Sequence, residues 1–337
     1  MANLHCGKQS FIFHESPVIS AWASVAGKKE SEGPLASYFD ITEQDSYFGQ
    51  RTWEQAEKRM QQMTLDKLSA KANITKKQLD LVISGDLLNQ CIGSSFTLRN
   101  TNIPHLGLYG ACSTMAESLL IASVFVAGGF FDTVAAMTSS HFASSERQYR
   151  FPLGYGGQRT PTSQWTVTGS GAALLKSKGK GPKITAATVG TVTDLGIKDA
   201  NNMGAAMAPA AYETIKSYLK VQKKTVNDFD LILTGDLGSV GSEILYELFR
   251  KDGVDISTVH NDCGLMIYDF EKQDVHAGGS GCGCSASVLC GHILERVKKG
   301  ELKNVLFAAT GALMSTTVVQ QGESIPGISH AVHISYE

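Results

Sequence analysis

One eight-residue stretch, Asp80-Leu81-Val82-Ile83-Ser84-Gly85-Asp86-Leu87, returns in the second half of the chain as Asp230-Leu231-Ile232-Leu233-Thr234-Gly235-Asp236-Leu237. A second pair of anchors follows: Ala111-Cys112-Ser113-Thr114 and Gly283-Cys284-Ser285-Ala286 each open a helical segment. The strand pattern Asn304 to Thr310 also lies as far beyond Cys284 as Asp132 to Thr138 lies beyond Cys112. Matched anchors at matched spacing mean internal duplication. Each copy alternates strands with helices, which calls for a mostly parallel sheet with right-handed crossovers. The expected fold is α/β, with two βαβαβ halves, residues 1–175 and 176–337, paired about a pseudo-twofold. That pairing brings the Cys112 and Cys284 helix starts toward a shared centre, beyond the carboxyl ends of strands where ligands bind in such folds.

In the first half a strand is expected at Val18 to Val25, after which Lys28 to Gly49 is polar and turn-rich. A helix over Trp53 to Ala72 is carried by Trp53, Ala56, Met60, Met63 and Leu68 near helical spacing. Strands are expected at Leu79 to Ser84, Leu106 to Tyr109 and Phe131 to Met137, and in the second half at Ile184 to Val192, Leu231 to Thr234 and Asn304 to Thr310. Ala205 to Val221 reads as a helix. A chain of 337 residues with 42% hydrophobic content supports well-formed cores, and a formal charge of -2 gives no reason to expect nucleic acid. Met1 to Ser10 lacks the pattern of a signal peptide, and the apolar run Leu119 to Phe131 is too short for a bilayer span. Synthesis in the cytoplasm, with peripheral membrane association at most, is the expectation. Seven cysteines without regular spacing argue for reduced thiols rather than a disulfide framework.

Cys112 is the residue of greatest chemical interest. A thiol at a helix N-terminus sits against unsatisfied N–H groups and partial positive charge, which lowers its pKa and favours an anion nearby. A nucleophilic thiolate and an anion cradle are therefore both open. Arg147, Arg150 and Arg159 follow the strand after the Cys112 helix, and guanidinium groups can grip carboxylates, though tying down a loop is the simpler role. Cys282, Cys284, Cys290 and His292 could suggest zinc, but residues two apart on a helix point away from each other, so no metal site is expected.

The motifs together resemble the thiolase and β-ketoacyl synthase superfamily, and within it the stage V sporulation protein AD family. The resemblance rests on Gly85 to Gln90, Gly110 to Thr114, Ser139-Ser140-His141 through Glu146-Arg147-Gln148, Tyr155-Gly156-Gly157-Gln158 and Thr168 to Gly171. It continues through Leu231 to Leu237, His260 to Met266, Gly278 to Cys282 and Ala309 to Leu313. It implies a thiolase-like fold layered α/β/α/β/α and a homodimer without a cofactor. It further implies a protein that binds dipicolinic acid, alone or with calcium. Such a protein works with membrane partners at the spore inner membrane, moving the acid into the developing spore and out at germination.

In the enzymes of that superfamily a histidine follows the second-half strand that here reads Leu231 to Thr234, and an asparagine sits in the loop that here reads Gly278 to Gly281. This chain has Gly235-Asp236 and Gly278-Gly279-Ser280-Gly281 instead. His276-Ala277-Gly278-Gly279 resembles the His-Pro-x-Gly of thiolases and carries the alternative reading, an acyltransferase using Cys112 and His276. The preferred expectation is a non-catalytic binding site with Cys112 and His276 as vestiges. The first turn after Cys112 would cradle one ligand carboxylate, with Ser140, His141, Arg147, Gly279 and Ser280 around it. The Lys28 to Gly49 segment, through Leu35, Tyr38 and Phe39, is the expected docking surface for a membrane partner.

Overall fold

The computed structural model describes residues 4–150 and 158–336. Its first half contains strands β1 (Val18–Ala26), β2 (Leu81–Gly85), β3 (His105–Gly107), β4 (Thr133–Ser140) and β5 (Gly169–Lys176), with helices α1 (Trp53–Lys71), α2 (Ile92–Leu98), α3 (Thr114–Ala127) and α4 (Phe142–Tyr149). The second half contains β6 (Lys183–Thr188), β7 (Leu231–Thr234), β8 (His260–Asp262), β9 (Asn304–Ala312) and β10 (Gly327–Ser335), with α5 (Met203–Gln222), α6 (Gly238–Lys251) and α7 (Cys282–Val288).

Hydrogen bonding runs β1-β5-β4-β2-β3 in the first half and β6-β10-β9-β7-β8 in the second, so the same order is traced twice. The two halves are joined by Lys183 opposite Val18 and by a short strand of the first half, Ser10–Ile12, which pairs antiparallel with β6. In each half one strand, β5 or β10, runs antiparallel between its neighbours, while the pairings among the others are parallel. The duplication reaches single hydrogen bonds. Asp80 accepts from the backbone N–H of Thr133 at 2.8 Å, and its copy Asp230 accepts from Asn304 at 2.9 Å, each pinning the start of the neighbouring strand. Just upstream, Thr75 with Gln78 and Thr225 with Asp228 form reciprocal capping boxes.

Alternation along the strands sets the layers. Leu81 and Ile83, like Leu231 and Leu233, point into a central core shared by both sheets with α3 and α7. Val82 points instead into an outer core with Leu65 and Leu68 of α1, and Ile232 into one with Met207 and Ile215 of α5 and Leu245 of α6. The order is therefore helix, sheet, helix, sheet, helix, the thiolase-like layering. α3 is apolar almost all round because both its faces meet sheets, as a buried helix requires. Asn202 caps α5 by accepting from Ala205 N–H at 3.3 Å, and Lys223 ends the helix in a left-handed conformation.

The segment after β1 departs from expectation. Leu35 and Phe39 are buried in the central core, and Phe48 is buried against α1, because this stretch folds back over the sheet. Of the three residues expected to be presented for docking, Tyr38 alone is exposed, and its ring rests on His292. Among the described residues no helix is long and apolar enough to cross a membrane.

Candidate functional site

The site forms where the pseudo-twofold brings strand ends from both halves together. Gly110 leads into a short 3-10 turn, Ala111–Ser113, and α3 follows. Ala111 carries a positive φ of 50°, an uncommon conformation for a side chain with Cβ. β9 presses on this turn from the opposite half: a Cβ added at Gly311 would lie 2.3 Å from the Gly110 carbonyl oxygen. The reciprocal contact is made by Ser140 at the end of β4, whose hydroxyl accepts from Gly283 N–H at 3.1 Å and donates to Val167 O at 2.7 Å. Each half thus closes the helix start of the other.

Cys112 is half-buried in a cavity of about 60 Å³. Its apolar walls include Leu87, Met203, Met207 and Met314, and its polar lining includes Ser145, Glu146, Tyr149, Arg150, Thr166 and Ser280. Tyr109 stands at the rim, hydrogen-bonded through its hydroxyl to that of Tyr149, which in turn donates to Leu87 O at 2.6 Å.

The thiol does not have the character expected of a helix-start cysteine. Loss of solvent pushes its pKa well above the usual thiol value, and the neighbouring Asp236 carboxyl raises it further. A backbone hydrogen bond from Gly281 acts the other way without reversing the result. Burial and a like charge outweigh a helix terminus that offers only partial charge. Asp236 is itself fully buried, with a pKa pushed up to about 6 by desolvation, against the lowering effect of hydrogen bonds from the Cys112 thiol and Gly281 N–H. Its Oδ2 accepts from Gly281 at 2.8 Å and its Oδ1 from the Thr310 hydroxyl at 3.0 Å. Gln164 fastens the same corner, donating from Nε2 to Asp236 O and Gly279 O at 2.7 Å each.

Of the residues named from sequence, Cys112 and Ser280 line the cavity. Ser140 and Gly279 stand behind it as supports, with Gly279 kept small by the Cys284 sulfur 3.2 Å from where its Cβ would be. His141 is buried away from the cavity lining, its Nε2 2.7 Å from Ser46 O, and burial lowers its pKa. Arg147 pairs with Glu54 over the Trp53 ring, its side chain 45% exposed. His276 is on a surface loop 3.0 Å from Asp274 and is not brought to Cys112. Arg159 also pairs with Asp274, at 2.9 Å. The Tyr155-Gly156-Gly157 part of its motif lies outside the described residues. Sequence reasoning passed over the methionine wall, Ser145, Thr166 and the Tyr109–Tyr149 bridge as cavity groups.

Outside the cavity, a second buried acidic network joins α1 to the sheet. Glu57 accepts from Ser139 at 2.8 Å and Ser144 at 2.9 Å, and Gln61 donates to Ser139 at 2.7 Å and Ser94 at 3.2 Å. Ser94 donates to Asp86 at 2.7 Å. Burial, then the proximity of Asp86, raises the Glu57 pKa to about 8.

Residues 7–335 match the family model described as Stage V sporulation protein AD. The Stage V sporulation protein AD of Bacillus subtilis (strain 168) is 46% identical over 97% of this chain and 96% of its own length. Among solved structures, 3-oxoacyl-[acyl-carrier-protein] synthase III from Aquifex aeolicus VF5 superposes with a TM-score of 0.56 at 14% identity, covering 95% of this chain and 100% of that one. Acetamide-bound OleA of Xanthomonas campestris gives 0.60 at 14% identity over 96% and 100%. Human mitochondrial 3-ketoacyl-CoA thiolase gives 0.58 at 11% identity over 97% and 99%. At these identities the structural matches establish the thiolase-like fold alone.

Proposed function

This chain belongs to the stage V sporulation protein AD family, and from that premise we propose that it is a non-catalytic binding protein for dipicolinic acid, taken alone or as its calcium chelate. In this reading the ligand occupies the cavity beside Cys112, and the protein acts as a homodimer with membrane partners at the spore inner membrane. There it supports movement of the acid into the developing spore and its release at germination. The observation that carries the non-catalytic part is the Asp236 carboxyl bonded to the Cys112 thiol. Acyl transfer needs a thiolate and a base able to accept its proton. A carboxyl with pKa about 6, facing a thiol raised well above its usual value, is too weak a base for that proton and repels the thiolate that would form. His276, the other candidate base, is paired with Asp274 on a surface loop.

The lining supports a flat anionic ring. Met203, Met207 and Met314 offer polarizable surfaces of the kind that pack against aromatic rings. The α3 start supplies partial positive charge for a carboxylate. The cavity is well below the roughly 300 Å³ at the low end of small-molecule sites. Binding therefore requires the tyrosine bridge over the rim to part.

Calorimetric titration of the purified protein with dipicolinate, with and without calcium and beside acetyl-coenzyme A, tests the reading. Saturable dipicolinate binding without thioester turnover is the expected result. Absence of dipicolinate binding together with acylation of Cys112 would establish the acyltransferase reading instead.

A further inference from the structure

The cavity lining holds a second polar group, remote in sequence from the Cys112 turn and carried by α4. Arg150, at the C-terminal cap of α4, has a non-helical φ of -123°. Arg147, one helical turn earlier, is held outside by Glu54. Arg150 lines the cavity with its side chain 19% exposed. Among the described residues its hydrogen bonds leave from Nη1, to Glu146 Oε1 at 2.7 Å and Gln164 O at 3.2 Å. A guanidinium has five N–H donors in a planar fork, so the same group can hold a wall carboxylate and still face a ligand. Glu146 is fixed in turn by the Thr166 hydroxyl at 2.9 Å, which keeps the Arg150–Glu146 pair in one orientation.

Beside this pair, Ser145 lines the same cavity. It is buried, and its hydroxyl has no hydrogen-bond partner among the described residues. Burying a hydroxyl unpaired is unfavourable, and a ligand acceptor would satisfy it.

Resting on the binding function above, we propose that Arg150 and Ser145 form a second carboxylate subsite, opposite the Cys112 turn, which makes the cavity selective for aromatic dicarboxylates over monocarboxylates. One carboxylate meets the α3 start and the other meets Arg150 and the Ser145 hydroxyl, with the ring between the methionine walls. Glu146 is the resident counter-ion that keeps Arg150 oriented in the absence of ligand.

The test compares dipicolinate with pyridine-2-carboxylate, which keeps the ring and one carboxylate, by calorimetry on the wild type, Arg150→Gln, Arg150→Lys and Ser145→Ala. The wild type is expected to prefer the dicarboxylate by roughly 10- to 100-fold, the range of a charge-assisted hydrogen-bonded contact. In Arg150→Gln that preference should fall to within about threefold while affinity for the monocarboxylate stays put. Arg150→Lys and Ser145→Ala should each keep part of the preference, and these two carry the test if Arg150→Gln does not fold. Equal affinity of the wild type for both ligands overturns the subsite, as does undiminished preference in the folded variants. An equal loss for both ligands in Arg150→Gln also overturns it, because it marks a merely structural arginine. Failure of the wild type to bind either ligand contradicts the binding function itself, which separates the two failures.

Discussion

Replacing Asp236 by Asn removes the carboxylate that adds to burial in raising the Cys112 pKa while keeping the side-chain shape. Asp236 is fully buried, and its pKa is raised from 3.8 to about 6. A carboxyl raised on folding binds its proton more tightly in the native state, so its contribution to stability is greatest below pH 3.8 and is lost as pH rises through 6. Between pH 4.5 and pH 8 the native carboxyl releases almost a full proton that the unfolded chain has mostly released already. With these two pKa values, and about 1.36 kcal/mol per unit, the wild type loses about 2 kcal/mol over that interval from this group alone. Glu30 and Glu57 are raised in the same direction, but they are present in both proteins and cancel in the comparison. Asparagine can still accept from Gly281 N–H with its oxygen, and its amide can donate to the Thr310 hydroxyl or the Cys112 sulfur. Urea unfolding of both proteins at pH 4.5 and pH 8 should therefore show a pH-dependent loss smaller by about 2 kcal/mol in Asp236→Asn. Iodoacetamide alkylation should show the companion effect, with Cys112 in the variant reacting at lower pH than in the wild type. An unchanged pH dependence and an unchanged alkylation profile would refute the assignment of Asp236 as the group that holds Cys112 neutral.

Glu57→Gln should leave stability near that of the wild type at pH 4, where the Glu57 proton is mostly in place in both the folded and the unfolded chain. As pH rises from 4.5 to about 8 the unfolded wild type releases a proton that the folded protein retains, so the wild type loses stability that the variant keeps; urea midpoints at pH 4 and pH 8.5 check this. Gly311→Ala places a methyl against the Gly110 carbonyl and should cost about 1–3 kcal/mol, read as a lowered melting temperature, because backbone rather than a flexible side chain must give way. Cys112→Ala should melt close to the wild type yet bind dipicolinate more weakly, and equal calorimetric affinity in the folded variant would move the ligand away from the α3 start.

Much of the fold was legible because the duplicated residues do local work. Asp80 and Asp230 pin strand starts, and the alternation in Leu81-Val82-Ile83 and Leu231-Ile232-Leu233 separates central from outer cores. β5 and β10 were not foreseen. In β5 the glycines of Gly169-Ser170-Gly171 fit either closely packed backbone or a ligand against the main chain, and the structure shows the packing: a Cβ at Gly171 would lie 2.2 Å from Ala286 O of α7. The site was half legible. The Cys112 turn and Ser280 could be found from local pattern, but which arginine faces the cavity depends on the non-helical cap at Arg150 and on Glu54 capturing Arg147. The state of the thiol was misjudged for a similar reason. A helix start can be read from sequence, but the carboxyl that folding brings against it belongs to the other half of the chain.

If Cys112 belongs to a ligand cavity rather than serving as a nucleophile, dipicolinate should shield that one residue from alkylation. Wild-type protein would be treated with iodoacetamide at pH 8 across a dipicolinate titration, and the Cys112 peptide quantified by mass spectrometry. Slow alkylation that dipicolinate slows further and saturably, with a midpoint matching the calorimetric affinity, is the expected result. Rapid alkylation that dipicolinate leaves unchanged would contradict both the neutral thiol and the placement of the ligand.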